Sequence, residues 1–352
     1  MTGPDYITFA AKLAATYTEA ASCRSAISRA YYGAFHLAKA LFDRLEIRPP
    51  RNANVHVFIQ HRLMNCGYPL AVEAGRFLAD LYADRLNAEG LRVSGKSSLH
   101  SAIIASTDPA ELGDVDLVII ATKTTAVEAS ARALQGHFPR ATVMTVQNGL
   151  GCEDVVARYG AWPVISSVTF MSGRRLSDSH VEYELDTATW LGPWAGGGAS
   201  FAQAQAIERL ITASGLKAKA FPDLLPAQWS KLIFNAVVNT VAALSDLPHV
   251  SAFARRDLPT DLGCLVEAAM DEGKRVAAAG GVELFEDPWE MNVKATRHGQ
   301  TGNEEYAHAP SMLEDVRARR ATEVDWITGA IVREARRLGV PAPINETLYR
   351  LV

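Results

Sequence analysis

The side chains best suited to chemistry lie in the segment Lys231-Leu-Ile-Phe-Asn235-Ala-Val-Val-Asn239, where a polar residue recurs at every fourth position among apolar ones. On a helix, this spacing places one ammonium and two carboxamides along a single stripe of a buried rod. A buried polar group without a partner costs about 1–3 kcal/mol, and a charge costs more. A small polar ligand would satisfy the stripe. The alternative is that it faces water or pairs with carboxylates of a neighbouring helix.

A second polar pattern occupies residues 310–332, PSMLEDVRARRATEVDWITGAIV. Its composition predicts one helix that begins after Pro310 and continues to residue 338, where a Gly-Val-Pro-Ala-Pro segment ends it. This predicted helix carries Ser311, Asp315 and Glu323.

Together the two segments resemble the C-terminal signature of the ketopantoate reductase (2-dehydropantoate 2-reductase) family. In that family a Lys-x-x-x-Asn-x-x-x-Asn helix faces a Ser-Met-Leu-x-Asp…Thr-Glu-x-Asp helix, and the order and spacing match here without a gap. The resemblance extends from residue 90 or so to the C-terminus. It implies NADPH as cofactor and the reduction of the C2 ketone of 2-dehydropantoate to pantoate, a step of pantothenate biosynthesis.

The resemblance also implies a role for each matching residue. Lys231 would be the general acid that protonates the ketone oxygen, and burial would lower the pKa of its ammonium. Glu323 would bind the substrate hydroxyl and help to hold Lys231. Asn235 and Asn239 would orient the substrate, and Ser311 would contact its carboxylate.

Two further positions match the family on the cofactor side. Lys123 directly follows an apolar run that we predict to be a strand, at the edge where open α/β sheets bind ligands. Asn148 and Gly149 follow the next predicted strand. The resemblance implies that these residues border the nicotinamide. Without it, Asn148-Gly149 is equally well explained as a turn dipeptide.

Alternation of apolar, β-branched runs with helical segments indicates a parallel sheet covered on both faces. We predict the following elements after residue 90: strands at 116–121, 141–146, 164–169, 181–185, 189–191 and 216–221, and helices at 125–134, 201–214 and 261–280. From residue 221 onward the sequence is predicted to be helical, with a polar connection at 295–308 in which His298 and His308 are loop residues.

The sequence lacks the Gly-x-Gly-x-x-Gly motif that opens a dinucleotide-binding sheet and lets the backbone approach a pyrophosphate. The strand that precedes this motif normally lies at the centre of such a sheet. Without it, the 116–121 strand is expected to expose an unpaired apolar edge. Three explanations stay open: the N-terminal helical domain covers the edge, a partner chain does, or the chain is a poorly folding fusion.

Residues 5–88 have the composition of a helical bundle, with predicted helices at 9–21, 26–45, 55–64 and 71–86. The run from Arg24 to His36 is similar to the HEPN family of small helical domains, which includes RNA-cleaving toxins and nucleotide-associated modules. The resemblance implies a site at Arg29 and His36. The preferred interpretation is that both residues, with Tyr31 and Phe35, serve packing and the helix surface.

The fold class predicted from these patterns is mainly α with α/β: an N-terminal helical bundle, a truncated Rossmann-like parallel sheet and a C-terminal all-helical domain. The predicted boundaries are 1–89, 90–220 and 221–352. The net charge of −4 argues against nucleic acid as a partner, and no apolar run is long enough to span a membrane. The scattered Cys23, Cys66, Cys152 and Cys264 predict reduced thiols in a cytoplasmic protein without a metal site.

The sequence therefore predicts an NADPH-dependent oxidoreductase that acts on a small 2-keto acid. Two alternatives stay open beside it. One is an inactive fusion that keeps an intact substrate domain, and the other is a HEPN-type RNA- or nucleotide-associated module. Whether the chain forms a homo-oligomer is also left open.

Overall fold

The computed structural model describes residues 20–49, 55–249, 260–297 and 309–352, together with the single positions 4, 7, 8, 11 and 253. Contacts group the chain into two compact units. The first unit is Met1–Gly113 with Met171–Asp186, and the second unit is Asp114–Phe170 with Thr187–Val352. The sequence predicted domain boundaries at 89/90 and 220/221. The two compact units divide the chain at other positions, so those domain boundaries stay a prediction.

Helices form most of the described chain. In order they are α1 Ala20–Arg44, α2 Val55–Met64, α3 Pro69–Glu89, α4 Thr124–Ala133, α5 Cys152–Ala157, α6 Phe201–Ala213, α7 Leu225–Ser245, α8 Asp261–Ala279, α9 Pro288–Arg297, α10 Ser311–Arg317, α11 Thr328–Leu338 and α12 Pro343–Leu351. Within the part of the chain that is described, every helix is too short or too polar to span a bilayer.

The strands divide between two sheets. In chain order they are β1 Leu91–Gly95, β2 Leu99–Ser101, β3 Leu117–Ile120, β4 Thr142–Thr145, β5 Val164–Thr169, β6 Ser172–Ser177, β7 His180–Leu185, β8 Thr189–Pro193 and β9 Ala218–Ala220. The first unit holds a four-stranded sheet in the order β2-β1-β7-β6, and the second unit holds a five-stranded sheet in the order β3-β4-β5-β8-β9.

In the first unit, α1, α2 and α3 pack around a small aromatic core. Tyr31 and Phe35 of α1 are buried in it, as are Ile59 and Leu78. Arg85 of α3 ties the bundle to the turn between β6 and β7, because its guanidinium pairs with Asp178 at 3.2 Å. This arrangement buries the Tyr31 and Phe35 side chains, as the packing interpretation expects.

The two HEPN-related positions lie on the same helix. Arg29 is half-buried and His36 is exposed, and the His36 ring lies 5.5 Å from the ring of Phe35. A nuclease or nucleotide role for them stays a prediction.

The sheet of the second unit begins with three parallel strands, β3, β4 and β5, joined through α4 and α5. Continuous β-branched runs give these strands apolar side chains on both faces, as a parallel sheet covered by helices requires. β8 then pairs antiparallel to β5, and β9 pairs parallel to β8. Among the described residues, β3 has only β4 as a neighbour in this sheet, and its Ile119 is 49% exposed.

The C-terminal part of the second unit is organised around α7. This helix is apolar on almost every face, and α8, α9, α10, α11 and α12 all pack against it. Pro226 lies in its first turn, where the missing N–H costs nothing. α7 therefore carries Lys231 and Asn235 through the middle of a helical domain.

Most predicted elements agree with the structure. The parallel strands β3, β4 and β5, joined through helices, and the helices packed around α7 confirm the predicted fold class of a Rossmann-like parallel sheet with a C-terminal helical domain. The strand predicted at 164–169 and the helix predicted at 55–64 have the predicted bounds. The helix predicted at 9–21 lies largely outside the described residues, and so do His298 and His308.

The prediction of one helix from residue 310 to 338 was wrong. The structure has two helices, α10 and α11, separated by residues 318–327. Arg319 there has a φ of 53°, and the backbone N–H of Arg320 returns to the carbonyl of Asp315 at 2.8 Å. The Arg320 guanidinium also pairs with the Asp315 carboxylate at 2.8 Å. This local ion pair turns the chain back on itself, which helical periodicity does not encode.

A buried carboxylate joins α8 to the start of α12, and it supplies a first test of the fold. Glu272 is 2% exposed and accepts hydrogen bonds from the backbone N–H groups of Ile344 and Asn345 at 3.0 and 2.9 Å. We expect Glu272→Ala to lower the free energy of unfolding by about 2–4 kcal/mol, because it leaves buried donors without an acceptor. Urea unfolding followed by tryptophan fluorescence measures the loss. The exposed Glu283→Ala is the control and should change stability by less than about 0.5 kcal/mol; equal losses would refute the assignment.

Candidate functional site

Lys231 projects from α7 toward the carboxyl end of β5. Its Nζ donates a hydrogen bond to the backbone carbonyl of Thr169, the last residue of β5. The ammonium also lies over the Phe170 ring, 4.8 Å from the centroid. The predicted stripe on α7 is therefore directed at the end of a strand, where open α/β sheets bind their ligands.

The environment of Lys231 changes its protonation. Burial lowers the pKa of Lys231 to about 7, and the negative charge of Glu323 opposes part of that shift. Neither the Thr169 carbonyl nor the Phe170 ring carries a full negative charge that could balance the ammonium. Lys231 can therefore gain and lose a proton near neutral pH, which is the property a general acid or base needs.

Lys123 lies at the start of α4, directly after β3, and is held by two carboxylates. Its Nζ donates to Asp315 at 2.9 Å and to Glu323 at 3.4 Å. Burial alone would lower the pKa of Lys123, but the two carboxylates more than offset it, so the pKa lies above its ordinary value. Lys123 therefore stays a cation at neutral pH, unlike Lys231.

Glu323 connects the C-terminal segment to the sheet. Its Oε1 accepts a hydrogen bond from the backbone N–H of Thr124 at 2.8 Å, in the first turn of α4, and its Oε2 accepts from Lys123. A carboxylate at a helix N-terminus is stabilised by the free N–H groups there. The sequence predicted that Glu323 would help to hold Lys231. In the structure its hydrogen bonds go to Lys123 and Thr124, and it acts on Lys231 through charge.

The carboxamides form the next part of the site. Asn235 Nδ2 donates to Asn148 Oδ1 at 3.4 Å, so α7 and the turn after β4 meet through two side-chain amides. Asn235 is 9% exposed and Asn239, one turn further, is 6% exposed. Ser311 is half-buried and is the first residue of α10. The structure therefore brings Asn235 to Asn148, whereas Asn239 and Ser311 make no described side-chain contact with these residues.

Gly149 is explained by a close approach of two backbones. Its φ is 100°, and a Cβ added there would lie 2.2 Å from the carbonyl oxygen of Trp326. The next residue, Leu150, donates its backbone N–H to that same carbonyl at 3.1 Å. Gly149 therefore allows the turn after β4 to lie against the segment that contains Glu323.

Two buried polar atoms at this edge of the sheet have no hydrogen-bond partner. They are Thr124 Oγ1, beside Lys123, and Gln147 Oε1, next to Asn148. Buried polar atoms without partners are uncommon and call for a ligand or water. With Lys123 and Asn148 they supply the donors and acceptors that fit the polar nicotinamide end of a dinucleotide. Glu323 already occupies the N-terminus of α4, so that helix end does not fit a diphosphate.

Sequence reasoning missed two residues of the site. Asp315 lies within the recognised signature, but its contact with Lys123 joins positions 192 residues apart. Phe170 follows a predicted strand and resembles any apolar residue there, so nothing in the sequence indicated that its ring would face an ammonium. Both contacts, Asp315 with Lys123 and Phe170 with Lys231, join positions far apart in the sequence, so only the folded structure reveals them.

Comparison with known families supports the assignment of these segments. The family described as "Ketopantoate reductase PanE/ApbA" matches residues 76–196, and "Ketopantoate reductase PanE/ApbA C terminal" matches residues 223–352. The chain is 30% identical to the 2-dehydropantoate 2-reductase of Halobacterium salinarum over 272 residues, which cover 76% of this chain and 86% of that relative.

Solved structures of other proteins share the fold of this chain. The fold resembles that of 2-dehydropantoate 2-reductase from Methylococcus capsulatus, with a TM-score of 0.65 and 26% identity over 77% of this chain and 85% of the other. It also resembles D-mandelate dehydrogenase in a ternary structure with NADH and anilino(oxo)acetate, with a TM-score of 0.65 and 20% identity over 77% and 86% of the two chains. At 20% identity, the similarity to D-mandelate dehydrogenase shows a shared fold and nothing about activity.

The close approach at Gly149 predicts a large effect of one methyl group. We expect Gly149→Ala to destabilise the second unit by about 1–3 kcal/mol more than Gly136→Ala. Gly136 is the matched control because its φ is 82° and an added Cβ would meet nothing within 4 Å. Both variants carry the strain of a positive φ, and only Gly149→Ala adds the clash with Trp326. Urea midpoints from tryptophan fluorescence give the difference; equal losses would contradict the proposed close approach.

Proposed function

Because this chain belongs to the ketopantoate reductase family, we propose that it catalyses the NADPH-dependent reduction of 2-dehydropantoate to pantoate, a step of pantothenate biosynthesis. The observation that carries the proposal is the position and pKa of Lys231: an ammonium that titrates at about 7, at the carboxyl edge of the sheet and near Glu323. We propose a cytoplasmic location as well, supported by the free thiols of Cys66, Cys152 and Cys264.

In this proposal the chain binds and orients the 2-keto acid and delivers the proton. NADPH, when bound, supplies the hydride that is added to C2 of the substrate. Lys231 Nζ donates a hydrogen bond to the ketone oxygen. As the carbonyl π electrons move onto that oxygen, the N–H bond of Lys231 breaks and the O–H bond of the product forms. Lys231 is left as a neutral amine, which water reprotonates because its pKa is about 7.

The remaining polar residues would position the substrate. Asn235 and Asn239 would orient it by their carboxamides, Glu323 would accept a hydrogen bond from its hydroxyl, and Ser311 would contact its carboxylate. Asn235 is already fixed by Asn148, so its amide is held before the substrate arrives. Holding these groups in place in advance lowers the entropic cost of the reaction.

On the cofactor side, Lys123, Asn148 and Gly149 would border the nicotinamide. Lys123 is a permanent cation tethered by Asp315, and Gly149 keeps the turn close to the Trp326 backbone. The two unsatisfied atoms, Thr124 Oγ1 and Gln147 Oε1, lie beside Lys123 and Asn148 in the sequence. These features support a nicotinamide dinucleotide as the cofactor; the choice of NADPH over NADH is part of the proposal.

A second candidate is a fusion that keeps the substrate site but binds no dinucleotide. The observation that favours it is the absence of a Gly-x-Gly-x-x-Gly sequence, together with the position of β3 at the edge of its sheet among the described residues. Each charge-assisted hydrogen bond to a diphosphate is worth about 1.5–3 kcal/mol, so losing several raises a dissociation constant by orders of magnitude.

Cofactor binding and turnover, measured separately, distinguish the two candidates. We expect NADPH to bind in the micromolar range by fluorescence titration and Lys123→Ala to weaken it. Lys231→Gln should keep NADPH binding and lose turnover of 2-dehydropantoate by about 10²- to 10⁴-fold, because it removes the proton donor. The exposed Lys96→Ala is the control and should change neither quantity.

Three results are informative. Binding with turnover supports the reductase. If neither NADPH nor NADH binds at up to millimolar concentration, the reductase is refuted and the fusion candidate is supported. Binding and turnover that survive in Lys231→Gln would show that another group donates the proton.

The pKa of Lys231 predicts how activity depends on pH. Reduction requires the protonated ammonium, so kcat/KM for 2-dehydropantoate should be constant below pH 7 and should fall as the pH rises through about 7. Glu323 raises the pKa of Lys231, so Glu323→Gln should move the falling limb to lower pH. The exposed Glu128→Gln is the control and should leave the limb in place. A limb that stays fixed or moves to higher pH in Glu323→Gln would contradict this electrostatic coupling.

A further inference from the structure

The turn that carries Lys123 is supported by the sheet on one side. β3 ends at Ile120, and among the described residues its neighbour in the sheet is β4 alone. The ladder between the two strands ends where Ile120 pairs with Thr145. The chain from Ala121 to Lys123 therefore lies beyond the last backbone pairing, and contacts with side chains must fix its position.

Gln147 supplies one of these contacts. Its Nε2 donates a hydrogen bond to the backbone carbonyl of Ile120 at 2.6 Å and another to the carbonyl of Thr122 at 2.9 Å. One side-chain amide therefore uses both of its N–H groups on the end of β3. The reversed orientation would place Oε1 against two carbonyl oxygens, so these hydrogen bonds decide which way the carboxamide points.

The hydrogen bonds of Gln147 act on the peptide group that precedes Lys123. The carbonyl of Thr122 and the N–H of Lys123 belong to one planar unit, so holding the carbonyl also orients the Lys123 backbone. On the other side, Glu323 Oε1 accepts a hydrogen bond from the N–H of Thr124 at 2.8 Å and holds the peptide group that follows. Lys123 therefore lies between two peptide groups that are each held by a side chain.

The fixed backbone directs the Lys123 side chain. With both adjoining peptide planes held, the direction of the Cα–Cβ bond is set, and Nζ reaches Asp315 at 2.9 Å and Glu323 at 3.4 Å. A lysine side chain is a flexible four-carbon stem, and that of Lys123 is 47% exposed. The position of its ammonium therefore depends on where the backbone starts the stem, and Gln147 sets that starting point.

The two ends of the Gln147 carboxamide differ in what they can do. Oε1 is buried without a hydrogen-bond partner among the described residues, and it is the end that a ligand could use. The N–H end is fully used by the two carbonyls of the turn. Methionine has a similar length and lacks both ends. Its effect with and without Lys123 therefore separates what acts through Lys123 from what a ligand contacts directly.

We propose that Gln147 is a positioning residue for Lys123: by holding the backbone before Lys123, it fixes the ammonium at the place where the nicotinamide dinucleotide binds. This inference rests on the proposed function, in which Lys123 borders the cofactor. It adds a residue that acts through Lys123. Changes at residues of one contact network do not add, so the effects of changing Gln147 and Lys123 should be coupled.

Titration with NADPH of the unchanged chain, the two single variants and the double variant measures this coupling. Gln147→Met should raise the dissociation constant about 10-fold in the otherwise unchanged chain, the loss expected for two hydrogen bonds. In the Lys123→Ala background the same change should raise it by no more than about 3-fold, the share that a direct contact of Oε1 could supply. A purely structural role of Gln147 would lower stability without this dependence on Lys123.

Two further variants complete the titration. Gln135→Met is the control, because Gln135 is exposed in the same unit, and it should leave the dissociation constant unchanged. Gln147→Asn carries less risk to folding, since it keeps the carboxamide but is one methylene too short to reach both carbonyls. It should show a smaller loss with the same dependence on Lys123. An equal factor in both backgrounds, or no effect of either change at Gln147, would overturn the proposal.

A second measurement needs no cofactor, so it separates failure of the proposed function from failure of this inference. If neither NADPH nor NADH binds, the reductase proposal fails, and trace acetylation followed by mass spectrometry then tests Gln147. Only a neutral amine is acylated, and the two carboxylates that contact Lys123 keep it charged. Gln147→Met should raise the acetylation rate of Lys123 relative to the exposed Lys96 by about 3-fold or more, whereas Gln135→Met should not. An unchanged ratio in Gln147→Met would overturn the inference.

Discussion

The paired contact of Lys123 with Asp315 and Glu323 is the constraint on which the site depends. Both carboxylates are almost completely buried, and removing the partner of a buried charge costs about 3–5 kcal/mol. The chain between α10 and α11 must therefore bring both carboxylates to the end of β3. This requirement explains why the segment leaves the helix after residue 317 and why Arg320 returns to Asp315. It also explains the glycine at 149, because the Trp326 backbone lies against the turn after β4.

The two lysines of the site have pKa values shifted in opposite directions. Lys123 has hydrogen bonds to carboxylates, and these outweigh burial, so its pKa is raised. Lys231 contacts a backbone carbonyl and an aromatic ring instead of a carboxylate. The effect of burial therefore exceeds the attraction of Glu323, and the pKa of Lys231 falls to about 7. One cation is permanent and the other exchanges a proton near neutral pH. Groups whose environments move their pKa values apart commonly mark separate roles in acid and base chemistry. Here the permanent cation fits orientation and charge balance, and the titrating one fits proton delivery.

The sequence predicted the local elements better than the connections between them. Periodicity and β-branched runs indicated β5 and α2 with their observed bounds, and the spacing of Lys231 and Asn235 placed both on one helix. The break between α10 and α11 escaped prediction because an ion pair and a residue with positive φ cause it, and neither alters the helical composition. Asp315 was seen only as part of a motif, and Phe170 was not seen at all. Both act through contacts between distant positions, which one sequence does not reveal.

The polar site uses only residues of the second unit. The ends of β3, β4 and β5, with α7 and the segment around Glu323, supply the two lysines, the amides and the carboxylates. None of these groups needs a glycine-rich loop to reach its position. The Gly-x-Gly-x-x-Gly sequence that this chain lacks bears on how tightly a dinucleotide binds, because such a loop brings backbone N–H groups close to the pyrophosphate. In the proposed reductase, proton delivery is set by interactions within the second unit, and cofactor affinity is a separate quantity. An intact proton donor is thus compatible with weak cofactor binding, and the two properties can be lost or kept independently.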